Sequence, residues 1–80
     1  IMKKICKLLA VQENSIIGIE SLRKIKPSLF KFRCKGNTYI CDIEPGENEK
    51  LYYHGRAFYM SNNAIDDIRL YKMEKNYALK

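Results

Sequence analysis

A mainly β domain of five to six antiparallel strands is the fold class this sequence predicts, and three observations predict it. Apolar and polar residues alternate over residues 29–44, 51–60 and 68–73, the period of strands with one face buried. Two glycine-bearing pairs, Gly36-Asn37 and His54-Gly55, interrupt the first two stretches where a two-residue hairpin turn fits. Helical signals are short by comparison: an ambiguous stripe at residues 2–11 and one or two turns after Ser61, which leave an α+β assignment open.

The central stretch carries a pattern that resists misalignment. With Gly36 and Asn37 as the turn, Cys34 faces Tyr39, Phe32 faces Cys41 and Phe30 faces Ile43, so these six residues share one face. Lys31, Arg33 and Lys35 share the other with Thr38, Ile40 and Asp42. A one-residue slip of either strand would set charges against phenyl rings. In the second hairpin His54 tolerates a positive φ better than most residues, and Gly55 tolerates it freely. Tyr53 then faces Arg56, Tyr52 faces Ala57, Leu51 faces Phe58 and Lys50 faces Tyr59. Leu51, Tyr53, Phe58 and Met60 form the core side, and Lys50, Tyr52, Ala57 and Tyr59 the outer side.

Residues 2–11 fit two structures. They make a helix with Met2, Ile5 and Leu9 in its stripe and Cys6 beside it, or a strand that pairs with residues 16–19 across Glu13-Asn14; the strand is the favoured expectation. The β-branched run at residues 15–20 reads as a strand in either case. Residues 21–26 form one helical turn capped by Ser21 or extend that strand, and Pro27 ends the segment. Residues 44–50, EPGENEK, are a Pro-Gly turn with an acidic loop, expected to be the most mobile internal segment. Ser61, Asn62 and Asn63 offer capping side chains ahead of residues 64–67, where Asp66 and Asp67 suit a first helical turn. Residues 68–73 give a last strand, and 75–80 are expected to fray.

Tight hairpins followed by a single helical turn and a closing strand resemble the build of small SH3-like and Sm-like barrels. The segment AFYMSNNAIDDIRLYK looks like the strand, turn and strand that close them. The resemblance is architectural, covers roughly the last thirty residues, implies a small barrel and transfers no functional residue.

Eighty residues make one small domain, expected over residues 2–74, near the lower size at which a core suffices alone. A homodimer or a bound ligand is a natural further source of stability. The chain is 46% hydrophobic and 30% charged, a globular composition. No run approaches the roughly 18 apolar residues of a membrane span, and the basic start lacks a cleavage site, so a cytoplasmic location is expected. Ile1 precedes the expected natural start at Met2. Three cysteines without CxxC spacing suit neither a disulfide framework nor a zinc site. Cys34 and Cys41 lie diagonally on the expected hairpin, roughly 7 Å apart, and read as core residues. Eleven Lys, ten Ile, six Asn and six Tyr all use AT-rich codons, which points to a low-GC bacterium, a phage or another mobile element.

Charge is divided unevenly. Up to Lys35 nine basic residues stand against Glu13 and Glu20, a balance of +7, whereas the remainder carries −1. With a pI near 9.3, this favours an anionic partner, nucleic acid or nucleotide. Catalytic chemistry has little to stand on. His54 sits at a hairpin tip without a partner at ligand spacing, Asp66 and Asp67 are adjacent and suit capping, and no phosphate-binding glycine loop occurs. The expectation is a non-enzymatic binding protein with no metal and no cofactor. Its candidate phosphate contacts are Arg23, Lys24, Lys26, Lys31, Arg33 and Lys35, and Tyr52 and Tyr59 beside Lys50 are candidate stacking surfaces for bases. Tyr52 and Tyr59 alternatively cover a second small core with the N-terminal segment. A competing expectation is a phage or mobile-element inhibitor that docks on a host protein, with Glu44, Glu47 and Glu49 in contact.

Overall fold

The computed structural model describes residues 2–44, 46, 50–60 and 68–74. The expected helical turn at 64–67 with its caps, the tail 75–80 and most of the acidic loop lie outside the described residues. In chain order a helix α1 (Met2–Leu9) and a 3-10 turn (Glu13–Ser15) precede β1 (Ile17–Ser21), β2 (Leu29–Cys34), β3 (Asn37–Asp42), β4 (Lys50–Tyr53), β5 (Arg56–Met60) and β6 (Arg69–Met73). All six strands join one antiparallel sheet in the order β1-β2-β3-β6-β5-β4. The mainly β assignment therefore holds. Among the described residues β1 and β4 are its edges and no ladder joins them.

Residues 2–9 are a helix, which corrects the favoured strand. Ile5 is buried, with Leu8 and Leu9 packed behind it at i+3 and i+4, while Lys3, Lys4 and Lys7 stay exposed. Ala10 ends the helix in the left-handed region at φ 58°. Val11 N–H donates to the Cys6 carbonyl at 3.0 Å and Ala10 N–H to that of Lys7 at 3.3 Å, the paired bonds of a Schellman cap. Glycine usually holds that position, and its absence hid the helix end. Ala10→Gly is expected to stabilise the fold by about 1 kcal/mol, a rise in Tm of about 4–8 °C. A calorimetric scan showing no rise would mean that the cap is not strained by its Cβ.

The turn of the first hairpin falls one residue earlier than expected. Lys35 and Gly36 both take positive φ, 51° and 81°, as a type I′ turn requires. Phe32 consequently faces Tyr39, and Cys34 faces Asn37. The pairing has moved by two residues, so side-chain parity and both faces survive. The Phe32 and Tyr39 rings stack with centroids 5.4 Å apart. Cys34 and Cys41 are buried free thiols, now further apart along the ladder. Burial pushes the Cys41 thiol up to about 11, which keeps it protonated at neutral pH. The second hairpin follows its expected register at every pair, with His54 at φ 53° and Gly55 at φ 74°.

Following register across the ladders gives two faces. Phe32, Cys34, Tyr39, Cys41 and Leu70 pack under α1 with Ile5 and Ile68. On the opposite face Leu29, Ile40, Phe58 and Tyr71 form a second core with Leu22, flanked by Leu51, Tyr53 and Met73. Met60, expected in the core, is 36% exposed near the end of its strand. This second face is concave. Lys31 on β2 and Tyr53 on β4 are four strand spacings apart, about 19 Å on a flat sheet. The Lys31 Nζ nevertheless lies 5.8 Å from the centre of the Tyr53 ring.

The connection from β1 to β2 is fixed to β3 by a buried carboxylate. Asp42 is 4% exposed and accepts from Ser28 Oγ at 2.7 Å, Lys26 Nζ at 2.8 Å and Glu44 N–H at 2.9 Å. Burial alone would raise its pKa, but these donors outweigh it and hold the carboxyl below its ordinary range. The hydrogen bond to Asp42 in turn raises the pKa of Lys26. Among the described residues no helix is long and apolar enough to cross a membrane.

Candidate ligand-binding cleft

Curling of the sheet brings its two edges toward each other. Between them lies a cavity of about 570 Å³, lined by residues 20–25 on one side and Tyr52, Tyr53 and His54 on the other. The volume is within the range of small-molecule sites, about 300–1,000 Å³. A second cavity of about 290 Å³ adjoins it and shares Tyr53 and His54 as a wall. Lys31, Arg33, Thr38 and Arg56 line the second cavity over Phe58 and Met73.

Local structure accounts for each lining residue. Leu22 N–H donates to the Leu29 carbonyl at 2.9 Å, and Ile25 and Lys26 N–H groups both donate to the Leu22 carbonyl, which turns Arg23, Lys24 and Ile25 outward around the buried Leu22. The His54-Gly55 turn sets the His54 ring against that of Tyr53, with centroids 4.2 Å apart. Tyr53 also meets Phe58 edge-on at 6.4 Å, which ties the cleft to the core. Arg33 and Lys31 reach the concave face by alternation along β2, and Arg56 reaches it because it pairs with Tyr53.

The nine candidates from sequence separate into groups. Arg23 and Lys24 line the first cavity, and Lys31 and Arg33 the second. Lys26 is engaged by Asp42 and by the Glu44 carbonyl. Lys35 is an exposed turn residue. Lys50, Tyr52 and Tyr59 lie on the convex face, where the Lys50 Nζ stands 5.8 Å and 5.5 Å from the centres of the two rings. The expected shared surface of basic residues and tyrosines is thus divided between two sides of one sheet. Tyr52, 64% exposed on the edge strand, also reaches the rim of the first cavity. Tyr59 is 42% exposed, so α1 does not cover this pair.

Tyr53, His54 and Arg56 are cleft residues that sequence reasoning did not assign. The facing of Tyr53 and Arg56 in the second hairpin was the available signal, since it places an arginine beside an aromatic ring assigned to the core. Electrostatically, among the described residues Glu20 is the one carboxylate lining the first cavity, and the second is lined by none. Among the described residues no cluster of three or more His, Cys, Asp and Glu side chains is arranged to hold a metal. No protein-family model, curated protein or solved structure matches the chain.

Proposed function

We propose that this protein is a non-enzymatic binding protein for an anionic ligand that carries a planar ring, a nucleotide or a single-stranded nucleic acid. The observation that carries this reading is the convergence of Arg23, Lys24, Lys31, Arg33 and Arg56 on adjoining cavities whose common wall is Tyr53 and His54. Cations supply affinity for phosphate, and aromatic rings supply stacking worth about 1–3 kcal/mol per base. Binding of a nucleoside triphosphate and of a short oligothymidylate, measured by titration at several salt concentrations, tests the reading. Affinity for the oligonucleotide should fall with log salt at a slope of about −3 if about four phosphates are neutralised. Absence of binding by both probes at low salt overturns it.

Strand β1 favours a second reading, docking of the protein on a host protein as an inhibitor or accessory factor. All five β1 residues are exposed, with Ile17 at 52% and Ile19 at 47% on an open sheet edge. Capture from a low-GC host lysate by the wild type and by Ile19→Lys tests it. A partner recovered by the first and lost by the second supports docking, whereas identical captures remove it.

A further inference from the structure

We infer that the ligand is a mononucleotide bearing two or three phosphates, with its base in the cavity between the sheet edges and its phosphates on Lys31, Arg33 and Arg56. The inference rests on the binding role proposed above and deepens it. It comes from the difference between the two cavities.

The larger cavity has the composition of a base site. Leu22 and Ile25, with Arg23 and Lys24 between them, stand across from the rings of Tyr52, Tyr53 and His54. The smaller cavity has the composition of a phosphate site. Two arginines and a lysine line it with Thr38, and apart from the wall of Tyr53 and His54 that it shares with the larger cavity, its described aromatic ring, Phe58, is buried beneath it. Arginine presents a planar fork of donors that matches phosphate oxygens, and the three cations together suit several adjacent anionic groups.

Placement of Glu20, the one carboxylate among the described lining residues, sets the direction of the ligand. Glu20 lines the larger cavity, where it repels phosphate and is able to accept a hydrogen bond from an exocyclic amine. The phosphates therefore lie on the far side of Tyr53, where among the described residues no carboxylate lines the wall. Size separates this ligand from a nucleic acid strand. A strand alternates bases and phosphates and would need aromatic surface to recur along its path. The described lining offers a single group of accessible rings, Tyr52, Tyr53 and His54, with Arg23 and Lys24 beside it in the larger cavity and Lys31, Arg33 and Arg56 in the smaller, and about 290 Å³ is small for a second base with its sugar.

Calorimetric titration of the full chain with inorganic triphosphate, a nucleoside monophosphate, the matching triphosphate and a short oligothymidylate tests the inference. The nucleoside triphosphate should bind about tenfold or more tightly than the monophosphate. Arg33→Gln should weaken both triphosphates about tenfold and leave the monophosphate within about twofold. Tyr52→Ala should weaken both nucleotides about tenfold and leave inorganic triphosphate unchanged. Arg33 and Tyr52 are exposed, so both variants keep the core intact, and Lys7→Ala on the exposed side of α1 controls for bulk charge. Three results would overturn the inference while leaving the binding role in place: a monophosphate as tight as the triphosphate, inorganic triphosphate as tight as the nucleotide, or an oligonucleotide tighter than either. Failure of every probe at low salt removes the binding role itself.

Discussion

Replacing Phe58 with alanine is expected to destabilise the domain by about 4 kcal/mol, the largest effect of any single substitution considered for this chain. The ring is 1% exposed and packs with Leu22, Leu29, Ile40 and Tyr71. It is also the part of the β4–β5 hairpin that enters the core most deeply, since Leu51 and Tyr53 remain half-buried. A domain of this size gains only about 3–5 kcal/mol from its core, so Phe58→Ala should leave much of the chain unfolded at 25 °C. Phe58→Leu retains most of the apolar volume and should cost about 1–1.5 kcal/mol. Urea titrations of the three proteins measure the series. A cost below about 1 kcal/mol for the alanine variant would show that the hairpin is held by its ladder with β6 rather than by this ring.

Removal of the Asp42 carboxylate should have the next largest effect, about 3 kcal/mol for Asp42→Ala. Three donors lose their acceptor together, and one of them, the Ser28 hydroxyl, belongs to a residue only 4% exposed. The effect has a pH signature. Folding lowers the carboxyl pKa, so its contribution is complete above the unfolded value of about 3.9 and is lost as pH falls through the native value. Lys26 has the opposite sign: its pKa is raised, and its contribution is complete below the unfolded value and lost as pH rises through the native one. Urea midpoints of wild type and Asp42→Asn should therefore differ most near neutral pH and converge below about pH 4. A gap that stayed constant into acid would show that hydrogen-bond geometry rather than charge sets the energy of this site.

Local chemistry made part of this fold legible. His54-Gly55 encodes a two-residue turn that determines the β4–β5 register, and the whole register followed. The β2–β3 faces were also readable, because a two-residue error preserves parity even when the turn is misplaced. Helix α1 was obscured by Ala10, which adopts the left-handed conformation that a sequence usually marks with glycine. The cleft was less legible for a different reason. Whether Arg33 and Tyr59 share a side depends on the ladders that β6 makes with β3 and β5, and no local pattern specifies those. Tyr39 faces Lys72, which faces Tyr59, so Tyr59 falls on the side of Phe32 and opposite Arg33. Curvature then brought Tyr53 to Lys31, a contact between residues remote in sequence.

Strand β6 has a consequence for how the protein is made. It follows both hairpins in sequence yet lies between them in the sheet, and among the described residues it supplies the ladders that join β3 to β5. Isolated two-stranded hairpins are marginal in water. A nascent chain on the ribosome thus carries Lys31 and Arg33 on the β1–β2–β3 unit packed under α1, and Tyr53 and Arg56 on an unanchored β4–β5 hairpin, until residues 69–73 emerge from the exit tunnel. Recognition is deferred to the moment that this strand inserts, and a ligand present in the cell can assist folding only after translation has passed that point.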